Sequence, residues 1–270
     1  MSTLQNKTAL ITGGASGIGR LMGKLSIEKG ITSLIIWDLN KNALDETVRE
    51  FSSLGQNIRG YVVDVSSVEQ IIFAAQLVKK ETGAIDILIN NAGIVVGKYF
   101  HEHSHEEIEQ SMTVNTNAYM HITREFLPSM IERRSGHIIN IASAAGMVGN
   151  PKMSVYAASK WAVIGWSDSL RIEMEKLGTG VRVTTATPYY ISTGMFAGVR
   201  SSMFIPITRP EVAAKKILQG VEKNKLYVRM PPIVHILPFV KGILPARAFD
   251  LVVGKFLKVY KTMDEFTGRR

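Results

Sequence analysis

The 270-residue sequence has no cysteine. Disulfides, thiol nucleophiles and thiolate metal sites are therefore excluded, although no compartment is identified by this. No uninterrupted apolar run approaches the ~18 residues of a membrane span. The first residues, Met1-Ser2-Thr3-Leu4-Gln5-Asn6-Lys7, lack the apolar core of a secretory signal. Repeats, low-complexity tracts and a linker inside 1–230 are also missing. These absences predict a cytoplasmic protein with one domain over 1–230 and an extension of the same domain over 231–270.

What is present suits a packed core: 46% hydrophobic residues and 20% charged ones are ordinary for a globular chain. The charge is unevenly placed. Residues 200–270 hold 14 Lys/Arg against 5 Asp/Glu, which accounts for the whole net charge of +9. No nucleic-acid-binding module accompanies that charge, so nucleic acid is not expected as a partner.

Short apolar runs at Thr8–Thr12, Leu34–Asp38, Ile58–Val65, Ile85–Asn90, His137–Ala142, Val181–Thr187 and Leu226–Met230 read as strands buried on both faces. Helical patterns lie between them near 18–29, 41–53, 67–82, 105–133, 155–177 and 210–223. Ser104-His105-Glu106-Glu107 has the form of a capping box, and Pro210 stands at a first helical turn. This alternation predicts an α/β fold, a single Rossmann-type doubly wound domain with a seven-stranded, mostly parallel sheet.

The first strand runs into Thr12-Gly13-Gly14-Ala15-Ser16-Gly17-Ile18-Gly19-Arg20. Glycines between a strand and a helix permit a tight turn and close backbone approach to a pyrophosphate. Asp38 ends the second strand. A carboxylate there accepts hydrogen bonds from ribose hydroxyls and repels a 2′-phosphate, which favours NAD over NADP. Further on, Tyr156 and Lys160 are four residues apart, hence on one face of a helix. A phenol titrates near ~10, and an adjacent ammonium favours the phenolate; reaching neutrality takes about 4 kcal/mol.

Taken together, these residues resemble the short-chain dehydrogenase/reductase family, with matches running in order from about residue 5 to 230. The motifs are the glycine turn, Asp64-Val65, Asn90-Asn91-Ala92-Gly93, and the set Asn115, Ser143, Tyr156 and Lys160. Pro188 and Thr193 match the segment that holds a nicotinamide carboxamide. The resemblance implies a catalytic role for Asn115, Ser143, Tyr156 and Lys160. Ser143 would hold the substrate oxygen, Tyr156 would transfer its proton, Lys160 would lower the Tyr156 pKa and bind ribose, and Asn115 would interrupt a helix to hold a water. It implies cofactor contacts by Gly13, Ala15, Ser16, Gly17, Ile18, Gly19, Asp38, Leu39, Asp64, Val65, Asn91, Ala92, Gly93, Tyr156, Lys160, Pro188, Ile191 and Thr193. It also implies a homodimer or homotetramer.

One departure stands out: Pro188-Tyr189-Tyr190 replaces the common Pro-Gly. Tyr189 is read either as a substrate contact or as an aromatic packed on a neighbouring helix. Residues 188–196 are similar to the retinol- and hydroxysteroid-dehydrogenase branch. A lid is expected over about 194–209, and the expected substrate contacts are Val95, Ser143, Met147, Val148, Tyr156, Tyr189, Met195, Phe196, Met203 and Phe204. Their apolar character favours an apolar alcohol or carbonyl substrate. A 3-oxoacyl thioester reductase and a catalytically idle cofactor-binding scaffold are the alternatives.

Two further stretches invite a reading. His101-Glu102-His103-Ser104-His105 has a spacing that would align imidazoles only on a strand; ahead of a helix cap it reads as a solvated loop, with no metal site. In the extension, Phe249, Leu251, Val252, Val253, Phe256, Leu257 and Tyr260 suggest one apolar helical face opposite Arg247, Lys255, Lys258 and Lys261. Either peripheral contact with an anionic membrane or packing on the same chain or a sister subunit would cover that face.

Overall fold

Strand β1, Thr8–Thr12, is buried at its last four positions, and its neighbours are similarly enclosed. The computed structural model describes residues 3–54, 57–201 and 205–268. Seven strands form one sheet: β1, β2 (Ser33–Asp38), β3 (Asn57–Val62), β4 (Ile87–Asn90), β5 (Gly136–Ile141), β6 (Val181–Pro188) and β7 (Tyr227–Met230). Their order is β3-β2-β1-β4-β5-β6-β7. Every pair is parallel, so the sheet is wholly rather than mostly parallel. The expected third strand stops at Val62; Val63 and Val65 leave the sheet and line a cleft at its edge.

Successive strand side chains point to opposite faces, so each strand feeds two cores. Ile11, Ile36 and Ile89 pack beneath α1 (Gly17–Glu28), α2 (Lys41–Ser52) and α7 (Pro210–Glu222). Leu10, Ile35, Trp37 and Leu88 pack beneath α3 (Val68–Thr82), α5 (Ala118–Glu132) and α6 (Ser154–Lys176). The strand order reverses between β1 and β4, and a cleft opens at the carboxyl ends of such a pair.

The helical stretch 105–133 is not continuous. Helix α4, His105–Met112, begins at the Ser104–Glu107 capping box and gives way to a π turn at Thr113–Asn117 before α5 begins. Such single wide turns insert one residue and turn a side chain out of register; here that side chain is Asn115.

The His101–His105 loop is only partly as expected. Phe100–Glu102 forms a 3₁₀ turn, and the His103 side chain is wholly buried, with its ring 6.5 Å from that of Phe100. Burial against an aromatic ring outweighs hydration for this imidazole. Among the described residues, no three His, Asp or Glu side chains gather as a metal site would require.

The extension also differs from the expected single apolar face. It folds as α8 (Leu237–Ile243), α9 (Ala246–Asp250) and a π turn over Leu251–Phe256. Phe249, Val253 and Leu257 turn inward and pack with Val148 and Ile205. Full burial of each such side chain stabilises by about 1.5–3 kcal/mol. Leu251 and Phe256 turn outward instead: Leu251 lies about half a turn from Phe249 on any helix, and the wide turn carries Phe256 away from the inward face. The exposed side therefore carries both apolar groups and lysines.

Candidate active site

The cleft at the carboxyl edge of the sheet holds about 480 Å³ and extends from the glycine turn to α6. Gly13 and Gly17 adopt φ of +62° and +53°, a region that costs other residues steric strain. A Cβ on Gly19 would overlap the carbonyl oxygen of Gly13. This turn is therefore possible only with glycine, and it leaves backbone exposed at a helix N-terminus, as a pyrophosphate requires. The residues present fit a dinucleotide.

Hydrogen bonds fix the turn from both sides. Asp38 Oδ2 accepts from the Ala15 N–H and Oδ1 from the Asn40 N–H, both at 3.0 Å. Asn91 Nδ2 donates to the carbonyls of Thr12 and Gly13 at 2.9 and 3.1 Å. The Thr12 hydroxyl accepts from the backbone N–H groups of Asn91 and Ala92. Arg20 lies outside the turn, paired with Glu46 and Glu50. Thr193 faces Gly17 across the cleft.

Most expected cofactor positions line this cleft: Gly13, Ser16, Gly17, Ile18, Asp38, Leu39, Asp64, Val65, Asn91, Ala92, Gly93, Tyr156, Lys160, Pro188, Ile191 and Thr193. Ala15 and Gly19 build the turn without lining the cleft. Sequence reasoning missed Trp37, Gln110 and Val114, which also line it. Trp37 precedes Asp38 and was visible only as a strand residue. Gln110 comes from α4 and Val114 from the π turn that follows it.

Ser143, Tyr156 and Lys160 stand at one end of the same cleft. Ser143 follows β5; its Oγ accepts from the Ala145 N–H at 3.1 Å and makes a long contact with the Pro188 carbonyl at 3.4 Å. Lys160 Nζ donates to the Ile141 carbonyl at 2.9 Å and approaches the Tyr119 hydroxyl at 3.5 Å. Tyr119 is a second support that the sequence did not reveal; its hydroxyl donates to the Ala92 carbonyl at 3.0 Å. Asn115 is fully buried. Its Oδ1 accepts from the Ile94 N–H, while Nδ2 donates to the Ile94 carbonyl and to Ser159 Oγ, at 2.8, 2.9 and 3.1 Å. Asn115 thus fastens the loop after β4 to α6.

The electrostatics depart from the expectation of a phenol lowered by its lysine neighbour. Burial pushes the Tyr156 phenol up, Ser143 hydrogen bonding pulls it down, and Tyr190 raises it further. Burial also pushes Lys160 down to about 7. Desolvation disfavours the charged form of each group, and it is the largest influence on both.

The expected substrate residues divide between two spaces. Ser143, Tyr156, Tyr189, Met195 and Phe196 border the cleft. Ser143, Tyr189, Phe196 and Val148 border a second, narrower chamber beneath the extension. Val95 packs behind Tyr156 and Phe196, and Met147 packs against the extension; neither lines these spaces. Met203 and Phe204 lie outside the described residues. Tyr189 turns out to be a wall of both spaces, in edge contact with Tyr190 at 4.6 Å between ring centres.

A doubly wound sheet with a glycine turn at one end of its cleft, and Ser, Tyr and Lys at the other, defines an NAD(P)-binding oxidoreductase that acts on CH–OH groups. The chain belongs to the short-chain dehydrogenase family, whose model matches residues 7–203. It is 37% identical over 265 residues to mouse epidermal retinol dehydrogenase 2, covering 97% of this chain and 85% of that protein. It is 34% identical over 251 residues to rat estradiol 17-beta-dehydrogenase 11, covering 93% and 84%. Among solved structures, a short-chain dehydrogenase/reductase from Burkholderia phymatum in complex with NAD superposes with a TM-score of 0.81 at 25% identity, covering 94% of this chain and 96% of that one. A metagenomic short-chain oxidoreductase in complex with NADP gives 0.69 at 27% identity, covering 81% and 91%. The protein is thus an alcohol–carbonyl oxidoreductase of the short-chain type.

Proposed function

We propose that the protein is an NAD(H)-dependent enzyme that interconverts an apolar alcohol and its ketone or aldehyde, with Tyr156 as the acid–base. The observation that carries this reading is the placement of Ser143, Tyr156 and Lys160 on the wall of the cleft that also contains the glycine turn and Asp38.

Each side chain has a role that follows from its surroundings. The Ser143 hydrogen is only loosely held by Pro188, which leaves it available to a substrate oxygen. Tyr156, kept neutral by burial, has a proton to donate to an alkoxide forming beside Ser143; in the oxidative direction the phenolate removes the hydroxyl proton. Lys160 is held in place by Ile141 and Tyr119, which leaves one ammonium hydrogen for a ribose hydroxyl, while its charge opposes that of the phenolate. Bound NAD(H) supplies the hydride donor or acceptor and, when oxidised, a positive ring that favours phenolate. Asp38 supports NAD over NADP, since a 2′-phosphate would meet its carboxylate and Arg20 is engaged elsewhere.

The substrate class rests on apolar walls, and on the retinol and estradiol dehydrogenases to which the chain is similar. A screen of fatty, retinoid and steroid alcohols, followed by NADH fluorescence, tests it. Turnover within this panel is the expected result. No turnover with intact NADH binding would favour an idle cofactor-binding protein, and turnover confined to 3-oxoacyl thioesters would favour the reductase alternative.

The exposed side of the extension supports a peripheral membrane contact. Ile236, Phe239, Ile243 and Leu251 are more than half exposed, and Arg247, Lys255 and Lys258 share that segment. Apolar groups among cations suit an anionic bilayer surface, each cation contributing about 1 kcal/mol near it. Self-association into a dimer or tetramer through α5 and α6 is proposed on family precedent.

A further inference from the structure

The second chamber lies on the far side of Tyr189 from the glycine turn. Val148 and Ile205 form part of its wall, and Ile233, Leu237, Val253 and Leu257 of the extension close it. Ser143 lines both this chamber and the cleft, so the chamber adjoins the position where the reacting oxygen would sit. Its open volume is about 40 Å³, enough for a small group but not for a ring system.

Among the described residues, two polar atoms in this apolar enclosure lack a hydrogen bond of ordinary length: the Tyr189 hydroxyl, which has only the more distant hydroxyls of Ser201 and Thr262 near it, and Asn150 Oδ1. The neighbouring hydroxyl of Tyr190 differs, since Asn150 Nδ2 donates to it at 2.9 Å and Thr262 Oγ1 lies 3.0 Å away. Asn150 Nδ2 also reaches Thr262 Oγ1 at 2.9 Å. Both of these partners are hydroxyls, which donate or accept, so turning the amide over would still leave one of its polar atoms unpaired. Buried polar atoms are nearly always hydrogen-bonded, and an unpaired one calls for a missing partner. Tyr189 also stands where the family resemblance places a glycine, which has no side chain to offer a substrate.

The geometry points to a subsite for a second oxygen of the substrate. The preferred substrate would then be an apolar molecule with a hydroxyl or carbonyl besides the one that reacts. Tyr189 would donate to that oxygen or accept from it, and the Asn150 amide would complete the pair. This inference rests on the dehydrogenase reading above and refines its substrate class.

Matched pairs of cyclic apolar alcohols, with and without one further hydroxyl, test it. We expect kcat/KM to favour the two-oxygen member about tenfold, equivalent to about 1.4 kcal/mol, and Tyr189→Phe to bring that ratio close to one. Equal kcat/KM for both members in the wild type would overturn the subsite, as would an unchanged ratio in Tyr189→Phe; the chamber would then hold water only. Binding of the same pairs to the protein saturated with NADH, read by nicotinamide fluorescence, separates the subsite from the chemistry. A two-oxygen preference in binding without turnover would refute the dehydrogenase reading and support the chamber. Equal binding of both members would refute the chamber whatever the turnover.

Discussion

The Lys160 ammonium nitrogen lies 5.8 Å from the centre of the Tyr156 ring, yet its 2.9 Å hydrogen bond goes to the Ile141 carbonyl. The lysine is thus anchored to the end of β5 and presented to the tyrosine rather than paired with it. Its charge acts through space, in a site where burial opposes the ionised form of both groups.

Tyr156→Phe should remove acid–base catalysis while keeping the ring contact with Phe196, 6.0 Å between centres. A loss in kcat of about 10²–10⁴-fold is expected, the usual range for a general acid–base group. NADH affinity, measured by fluorescence titration, should change less than twofold. Retained turnover would assign the proton transfer to another residue.

Burial of Lys160 makes stability depend on pH. The unfolded lysine keeps its proton to about 10.5, whereas the folded one releases it above about 7. Between these values the unfolded state binds more protons, so stability rises with pH; below about 7 both states are protonated and the penalty is constant. From pH 7 to 9.5 the contribution is about 3 kcal/mol. Urea unfolding of the apoprotein should show this increase, and Lys160→Met should lack it.

Asn115→Ala would leave the N–H and carbonyl of Ile94 without their side-chain partners. Each buried group left unpaired costs about 1–3 kcal/mol, so destabilisation of about 2–4 kcal/mol is expected in denaturant titration. Asn115→Asp keeps the acceptor for the Ile94 N–H but loses the donor to the Ile94 carbonyl and buries a carboxylate, so it should lose at least as much. A variant as stable as the wild type would show that the π turn is held by Thr116, whose hydroxyl donates to the Ser159 carbonyl.

The cofactor preference should follow Asp38. The wild type is expected to use NAD at least about 100-fold better than NADP in kcat/KM, equivalent to a charge conflict of about 3 kcal/mol at the half-buried Asp38 carboxylate. Asp38→Ser should narrow the gap chiefly by improving NADP. A wild-type preference for NADP would reverse the assignment.

Membrane contact is best tested by charge rather than by truncation. Removing 231–270 would take Phe249, Val253 and Leu257 out of a packed cluster and confound folding with binding. Lys255→Glu with Lys258→Glu changes exposed groups only. The wild type should sediment with vesicles containing phosphatidylserine, and the double variant at least about 30-fold less, given about 1 kcal/mol for each of the two cations removed. No sedimentation of the wild type would leave the extension as a cover for the site alone.

Much of this protein was legible in one dimension. Strands buried on both faces, a glycine turn, Asp38 and the Ser143–Tyr156–Lys160 spacing follow from local rules: side-chain period, backbone freedom and helical phase. These determined the fold class, the cofactor end and the reaction. Other features depended on which distant segments meet. Asn91 pins the glycine turn from another strand, and Tyr119 supports Lys160 from α5. A π turn carries Val114 to the cleft beside Gln110 of α4, and another turns Phe256 away from the inward face of the extension. Above all, the chamber beside Ser143 joins Asn150, Tyr189 and residues 233–259. No periodicity encodes such a meeting; only tertiary packing encloses that space and leaves the Tyr189 hydroxyl and Asn150 Oδ1 without a close partner among the described residues.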